Sequence, residues 1–439
     1  MDQLLAFSLN PTGGASLTVD DILEQYIYVF YAAFAMSFLF TPMMRVVASY
    51  YGIVDNPDRV RKMHSVPVAY LGGVAVFLGW LSGLAMSQFR KMPIQEPGLN
   101  PQVTISFAIV AGATVIIVLG LWDDVLTLKP WMKICGQVLA ALFLLAEGFG
   151  TRCTGLLFES INGWIHIQHI SNSSLSFLPL IPGWVTSVTS WFAVIVVVVG
   201  CCNATNLMDG LDGLCSGVTA IISGGFLFLA IHLATNSGSF DPNMDAMRVV
   251  IAIALLGAVL GFIPYNFNPA SIFMGDTGSM FLGYVCAVMM ILMAQGQHWR
   301  WFLASMVMFA LPVLDTALAF TRRWIAGRPL FSPDKQHFHH QMVARGFSVK
   351  QTVLISYALA AFFAICGASI AFMRTRYAVA GYLMLFAYLV VAAYKMGMVH
   401  EKPRVVTRSD LTDIATLPSM ESAVEPGTVI EIRDGIKSA

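Results

Sequence analysis

The sequence predicts an all-α, polytopic membrane protein, a bundle of about eleven transmembrane helices, and three observations predict it. The 439 residues are 57% hydrophobic and only 11% charged, with a mean hydropathy of +0.71, whereas soluble domains carry about 25% charged residues. Apolar runs recur at about 26–48, 70–89, 103–121, 132–149, 185–202, 212–233, 247–264, 279–295, 301–320, 352–373 and 377–397, most of them long enough for a helix to cross a hydrocarbon layer roughly 30 Å thick. The runs are continuous rather than alternating, and backbone in hydrocarbon must satisfy its own hydrogen bonds, which favours helices over barrel strands. The formal net charge is zero, so no nucleic-acid partner is expected.

Residues 1–25 place no Lys or Arg ahead of an apolar core and read as an external N-terminal segment, not a cleaved signal peptide. Residues 26–398 form the membrane domain, and 399–439, polar and mixed in charge, read as a mobile cytoplasmic tail with at most a short strand at 429–432. Eleven spans put the termini on opposite sides. The connections after the odd-numbered spans, with the C-terminal tail, hold 18 of the 25 Lys and Arg, which makes that side cytoplasmic and leaves the N-terminus outside. The external connection at about 150–184 predicts a short β-hairpin, because Asn162-Gly163 separates two apolar strand-like stretches as a type I′ turn does; His166 and His169 there are read as structural. Of seven cysteines, six lie in or beside apolar runs and read as small apolar fillers. Gly257-x-x-x-Gly261 permits close helix approach, which leaves a homodimer open. No internal repeat is found.

The cytoplasmic connections carry the polar chemistry. The stretch Asn203-Ala-Thr-Asn206-Leu-Met-Asp209-Gly-Leu-Asp212-Gly213 interrupts two apolar runs with residues that are expensive in hydrocarbon and usually face a cavity or a bundle interior. Asp123-Asp124 ends the third span, followed by Lys129-Pro130 and Lys133. The fourth connection runs from Asn266 through Phe273-Met-Gly-Asp276-Thr-Gly-Ser279 without Lys or Arg. The first carries Arg59, Arg61, Lys62 and His64, and the fifth concentrates Arg322, Arg323, Arg328, Asp334, Lys335, His337, His339 and His340. One face therefore sets Asp123, Asp124, Asp209, Asp212 and Asp276 against a group of cations and imidazoles. Carboxylates and amide oxygens are hard ligands suited to Mg²⁺ or Mn²⁺. Cations and helix N-termini would neutralise a diphosphate, and a site open to cytosol and lipid suits phosphoryl transfer from a nucleotide to a lipid. Zinc at the His cluster is disfavoured, since no Cys accompanies it.

Together, Asn203-x-x-Asn206-x-x-Asp209-Gly-x-Asp212-Gly213, Phe273-Met-Gly-Asp276-x-Gly-Ser279, Asp123-Asp124 and Asp334-Lys335-x-His337-x-His339-His340 resemble the polyprenyl-phosphate N-acetylhexosamine-1-phosphate transferases, over about 26–398 and in the same order. Among them the chain looks like the bacterial undecaprenyl-phosphate N-acetylglucosamine-1-phosphate transferases that begin cell-surface polysaccharides. The resemblance implies an inner-membrane enzyme with a cytoplasmic active site. It would be a Mg²⁺-dependent transferase, with Mn²⁺ as an alternative, that joins UDP-GlcNAc to undecaprenyl phosphate and releases UMP. It implies catalytic roles for Asp123, Asp124 and Asp276. Metal ligands would be Asp276, Asn206 and Asp124. Lys62, Asp209, Asp212, Asn266 and Phe273 would contact the nucleotide, and Arg322, Arg323, Arg328, His337, His339 and His340 the sugar and phosphates. Asp123 and Lys133 would meet the lipid phosphate. Two departures stand out: Tyr70 replaces the Arg of the family's Val-Pro-Arg-x-Gly-Gly run, and Phe338 interrupts the His triplet of the muramyl-peptide enzymes, which argues for a plain amino sugar. The rival reading is a transporter, whose acids would sit near the midplane; among the acids only Asp315 lies deeper than the span ends, and it is expected to pair with a neighbouring helix or cation.

Overall fold

The computed structural model describes residues 18–55, 67–89, 103–151, 154–155, 183–236, 242–295, 300–325, 327 and 337–395. Each of the eleven apolar runs carries a helix. In order the elements are α1 (Val19–Tyr51), β1 (Val54–Asp55), β2 (Val68–Ala69), α2 (Gly72–Ser87), α3 (Phe107–Leu126), α4 (Pro130–Ala146), α5 (Gly183–Met208), α6 (Leu214–Asn236), α7 (Pro242–Asn266), α8 (Gly275–Ala294), α9 (Arg300–Met308), α10 (Ala310–Ile325), α11 (Phe338–Ala344), α12 (Val349–Phe372) and α13 (Thr375–Lys395). Among the described residues, seven helices are long and apolar enough to cross a membrane, and an eighth crossing is the bent pair α9–α10; the helices over 72–87, 130–146 and 377–391 are apolar but shorter. The protein is a multi-pass, all-α membrane protein.

The run at 301–320, expected as one span, bends by 71° between α9 and α10. Pro312 gives the physical cause: it has no N–H to offer the Met308 carbonyl, and its ring opposes a continuous helix. Capping boxes start α1, where Thr18 and Asp21 exchange bonds, and α12, where Ser348 and Gln351 do the same. The predicted external hairpin, the N-terminal segment and the C-terminal tail lie outside the described residues. Among the described residues, β1 and β2 pair antiparallel, and Ala69 bridges to Ile272 in parallel.

The axis of the bundle is α8. Every residue from Thr277 to Ala294 is buried, with α2, α3, α5, α6, α7 and α9 around it. At its far end Arg248 of α7 donates from Nε (3.0 Å) and Nη2 (2.7 Å) to the Leu292 carbonyl while pairing with Asp245, which satisfies the last turn of α8. At its near end sits Asp276. The small-residue motif Gly257-x-x-x-Gly261 is used inside the chain: α7 lies so close to α1 that a Cβ on Gly257 would come within 2.6 Å of the Phe30 carbonyl, and one on Gly261 would meet the Phe34 carbonyl. That stripe therefore offers no dimer face.

Candidate active site

The site is built where the C-terminal ends of α3 and α5 meet the N-terminal ends of α4 and α8. Asp123 and Asp124 close α3, Lys133 lies in the first turn of α4, Asn206 in the last turn of α5, and Asp276 in the first turn of α8. Lys133 Nζ donates to Asp276 Oδ2 at 2.8 Å and pairs with Asp123 Oδ2. The other oxygen of Asp276 accepts from Asn206 Nδ2 at 2.9 Å, and that amide also donates to Ser279 Oγ at 3.0 Å. Acids 153 positions apart, Asp123 and Asp276, thus converge on one cation, the ammonium of Lys133.

The two adjacent carboxylates do different things. Asp123 is buried and bonded through Oδ1 to the Leu128 amide at 2.7 Å, which holds the chain as it leaves α3 through Thr127 at φ 48°, a conformation a β-branched residue rarely adopts. Asp124 turns to α8 instead: Oδ1 accepts the Asp276 amide at 2.8 Å, and Oδ2 accepts the Thr277 amide at 3.1 Å and the Thr277 hydroxyl at 2.6 Å. A carboxylate on the first amides of a helix satisfies donors that have no partner in the helix and meets the positive end of its dipole. Gly275, at φ +72°, makes this approach available, since a Cβ there would come within 2.6 Å of Asp124 Oδ2. Expected to share in the chemistry or the metal, Asp124 is placed as the cap of the helix that carries Asp276.

The loop before α8 is held from two sides. The Phe273 amide donates to the Ala69 carbonyl (2.8 Å), and the Gly72 and Gly73 amides donate to the Phe273 and Met274 carbonyls (3.0 and 2.9 Å). From the other side Asp212 Oδ2 accepts from Asn268 Nδ2 (2.9 Å) and the Ala270 amide (3.0 Å). Asn266 is buried and spent within the loop, accepting from Ser216 Oγ (2.8 Å) and donating to the Ile272 carbonyl (3.1 Å). Of the expected nucleotide contacts, Asp212 and Asn266 thus brace the loop that presents Phe273, and Lys62 lies outside the described residues. Tyr70, which stands where the resemblance expects Arg, faces Phe273 with ring centroids 6.0 Å apart. Burial first, then the charge of Asp55, raises its hydroxyl above the usual range. Asp209, between α5 and α6, is pushed up to about 8 by burial and then by the charges of Asp276, Asp124 and Asp212, so it is a member of the same acidic field.

A second polar region lies beside the first. Asp315, in the first half of α10, accepts the Phe338 amide at 2.7 Å, and its Oδ2 is 3.2 Å from His337 Nδ1 and 3.8 Å from His339 Nδ1. It thereby anchors the start of α11 to the bent span. His339 is buried, and its Nε2 rests against Gly210, where a Cβ would collide with it. Gly210 belongs to the Asp209-Gly-x-Asp212 run, so this contact joins the histidine segment to the acidic one. Burial first, and then the charges of His340 and His337, lower the His339 imidazole to about 3 against a raising contribution from Asp315. Arg322 and Arg323 are buried on α10, and Arg328 lies outside the described residues. Sequence reasoning gave no role to Thr277 or Gln137, and it left Asp315 as a generic ion pair; the readable signal for the latter two was a polar residue inside an apolar run.

The donor set suits a hard divalent ion. Asp123 and Asp276 offer carboxylate oxygens beside the Asn206 amide, and a cationic ammonium already lies between the two acids. Among the described residues no three His, Cys, Asp or Glu side chains converge as a cage.

The fold is that of a multi-pass membrane protein, and comparison with known proteins makes it an enzyme of the phospho-sugar transferase class. The chain belongs to glycosyl transferase family 4, whose model matches residues 106–294, the segment from α3 through α8 that holds the whole acidic site. It is 32% identical over 367 residues to the decaprenyl-phosphate N-acetylglucosaminephosphotransferase of Mycobacterium tuberculosis (strain ATCC 25618 / H37Rv), covering 81% of this chain and 84% of that one. It is 28% identical over 394 residues to a probable undecaprenyl-phosphate N-acetylglucosaminyl 1-phosphate transferase of Bacillus subtilis (strain 168), covering 89% and 97%. A phospho-N-acetylmuramoyl-pentapeptide-transferase of Shouchella clausii (strain KSM-K16) is 28% identical over 362 residues, with 79% and 96% covered.

Proposed function

We propose that the protein transfers N-acetylglucosamine 1-phosphate from UDP-GlcNAc to undecaprenyl phosphate, giving undecaprenyl diphosphate-GlcNAc and UMP on the cytoplasmic side of a bacterial inner membrane. The observation that carries this reading is the convergence of Asp123, Lys133, Asn206 and Asp276 at the ends of four helices. Such an arrangement can hold two phosphate-bearing substrates in register at the bilayer edge. The GlcNAc assignment follows the names of the Bacillus and Mycobacterium relatives and the interrupted His triplet.

An oxygen of the acceptor phosphate attacks the donor's sugar-bearing phosphorus, a new P–O bond forms, and the bond to the uridylate oxygen breaks as UMP leaves. The acceptor phosphate has a second pKa near 6, so it is largely dianionic at neutral pH and needs orientation more than deprotonation. Lys133 supplies that orientation by charge, with Asp123 fixing the ammonium. Asp276 with Asn206 would hold Mg²⁺, which when bound neutralises charge on the donor diphosphate. Phe273 presents an aromatic face for the base, while Arg322, Arg323 and the His337–His340 segment meet the sugar and phosphates.

The test is to incubate purified protein in lipid nanodiscs with labelled UDP-sugars and undecaprenyl phosphate, then identify the lipid product by mass. A GlcNAc diphospholipid with stoichiometric UMP is expected, and is lost on removing Mg²⁺ with a chelator. A product carrying another amino sugar would reassign the donor. Solute uptake into liposomes with no lipid product would overturn the enzyme reading in favour of a transporter.

A further inference from the structure

One helical turn below the ion cluster, the same three helices repeat the contact in uncharged form. Gln137 follows Lys133 by four residues on α4, Met280 follows Asp276 by four on α8, and Asn203 precedes Asn206 by three on α5. Such spacings place each pair on one helix face. Asn203 Nδ2 donates to Gln137 Oε1 at 2.8 Å and to the Val199 carbonyl of its own helix at 2.8 Å. Both amide hydrogens are then used, so the orientation of Asn203 is set by α5, and Gln137 must come to it. Gln137 is fully buried, and its Nε2 lies 3.5 Å from Met280 Sδ. A buried amide in a span is costly and is expected to have a use.

We infer that Gln137 is a positioning residue of the transferase: by bonding to Asn203 it fixes the rotation of α4 and so places the Lys133 ammonium where it meets the acceptor phosphate. The inference rests on the proposed role of Lys133. Nothing in the ion cluster itself locks α4, because a lysine on a four-carbon stem can follow two carboxylates through a range of helix positions. The neutral amide pair is directional and supplies the register that the salt bridge lacks.

The experiment measures equilibrium binding of undecaprenyl phosphate and, separately, of UDP-GlcNAc to the full-length protein in nanodiscs, so no turnover is needed. Gln137→Met, which keeps the volume and removes the acceptor, is expected to weaken undecaprenyl phosphate binding about tenfold while UDP-GlcNAc binding stays within about twofold. Adding Gln137→Met to Lys133→Met is expected to cause no further loss. The swapped pair, Gln137→Asn with Asn203→Gln, is expected to recover binding to within about threefold of wild type. A purely structural role would instead weaken both ligands together, or lower acceptor affinity equally with and without Lys133, and either result overturns the inference. Unchanged binding in Gln137→Met overturns it as well. If Lys133→Met alone leaves acceptor binding intact, the proposed role of Lys133 fails, and the inference with it.

Discussion

The two polar regions of the site are held in opposite ways. The acidic region is assembled from helix ends: Asp123, Lys133, Asn206 and Asp276 each sit within a turn of a terminus and bond across four helices. In the histidine region the carboxylate of Asp315 ties the start of α11 to the bent span, and His339 rests against Gly210 of the acidic region. Positions on packed helices are set by the whole core, whereas a short segment is set more by the few side chains that tie it down. The first arrangement suits a reacting centre that must not move. The second suits recognition of a substrate part that enters and leaves.

On that division the largest effect belongs to the acidic region. Asp276→Asn removes one charge with little change of shape and is expected to lower turnover by about a thousandfold while the thermal unfolding temperature changes little. Wild-type-like turnover at ordinary Mg²⁺ would remove Asp276 from the chemistry. Asp124→Asn separates capping from catalysis. It removes charge from the first turn of α8 and leaves an amide where three donors are aimed, so a stability loss of about 1–2 kcal/mol is expected. Displacing Asp276 by a fraction of an ångström adds a drop of about tenfold to a hundredfold in kcat. A variant as stable as wild type and inactive would return Asp124 to a direct role.

On the histidine side, Asp315→Asn keeps the size of the anchor but weakens its hold on the Phe338 amide and His337. The expected signature is a rise of about tenfold in KM for the nucleotide sugar, with kcat within about threefold and KM for the polyprenyl phosphate unchanged. Equal losses for both substrates would mean that the two regions are one mechanical unit, and the contrast drawn above would break.

Much of the acidic region was readable because hydrocarbon makes polar residues conspicuous: Asp123-Asp124, Asn206, Asp209 and Asp276 all interrupt or end apolar runs. The convergence followed from placing their span ends on one side. What the pattern hid was what each carboxylate holds. Asp123 and Asp124 are chemically alike and adjacent, and a helix turns successive side chains by about 100°, so one reaches Lys133 and the other α8. The bend at Pro312 was lost because hydropathy averaged over a window does not register a missing N–H. The strands β1 and β2, two residues each, are too short to show an alternation. Gln137 was given no role, because only its distance to Asn203 gives it meaning.

A further effect is expected on the pH dependence of stability, and it also tests the histidine side. His339 titrates at about 3 in the folded protein and near 6.5 when unfolded. Above pH 6.5 both states hold the neutral ring, and this residue adds no slope. As the pH falls from 6.5 toward 3 the unfolded chain takes up a proton that the folded one refuses, so the native state loses stability across that window, and below 3 the loss levels off. The groups around the ring are His337, His340 and Asp315, and they remain in a His339→Gln variant. Thermal unfolding in detergent between pH 7 and pH 4.5 should therefore show a shallower acid slope for His339→Gln than for wild type, whatever the variant's stability at neutral pH. Parallel slopes would mean that the imidazole is reached by water and free to charge, and that the segment is held less tightly than Asp315 and Gly210 imply.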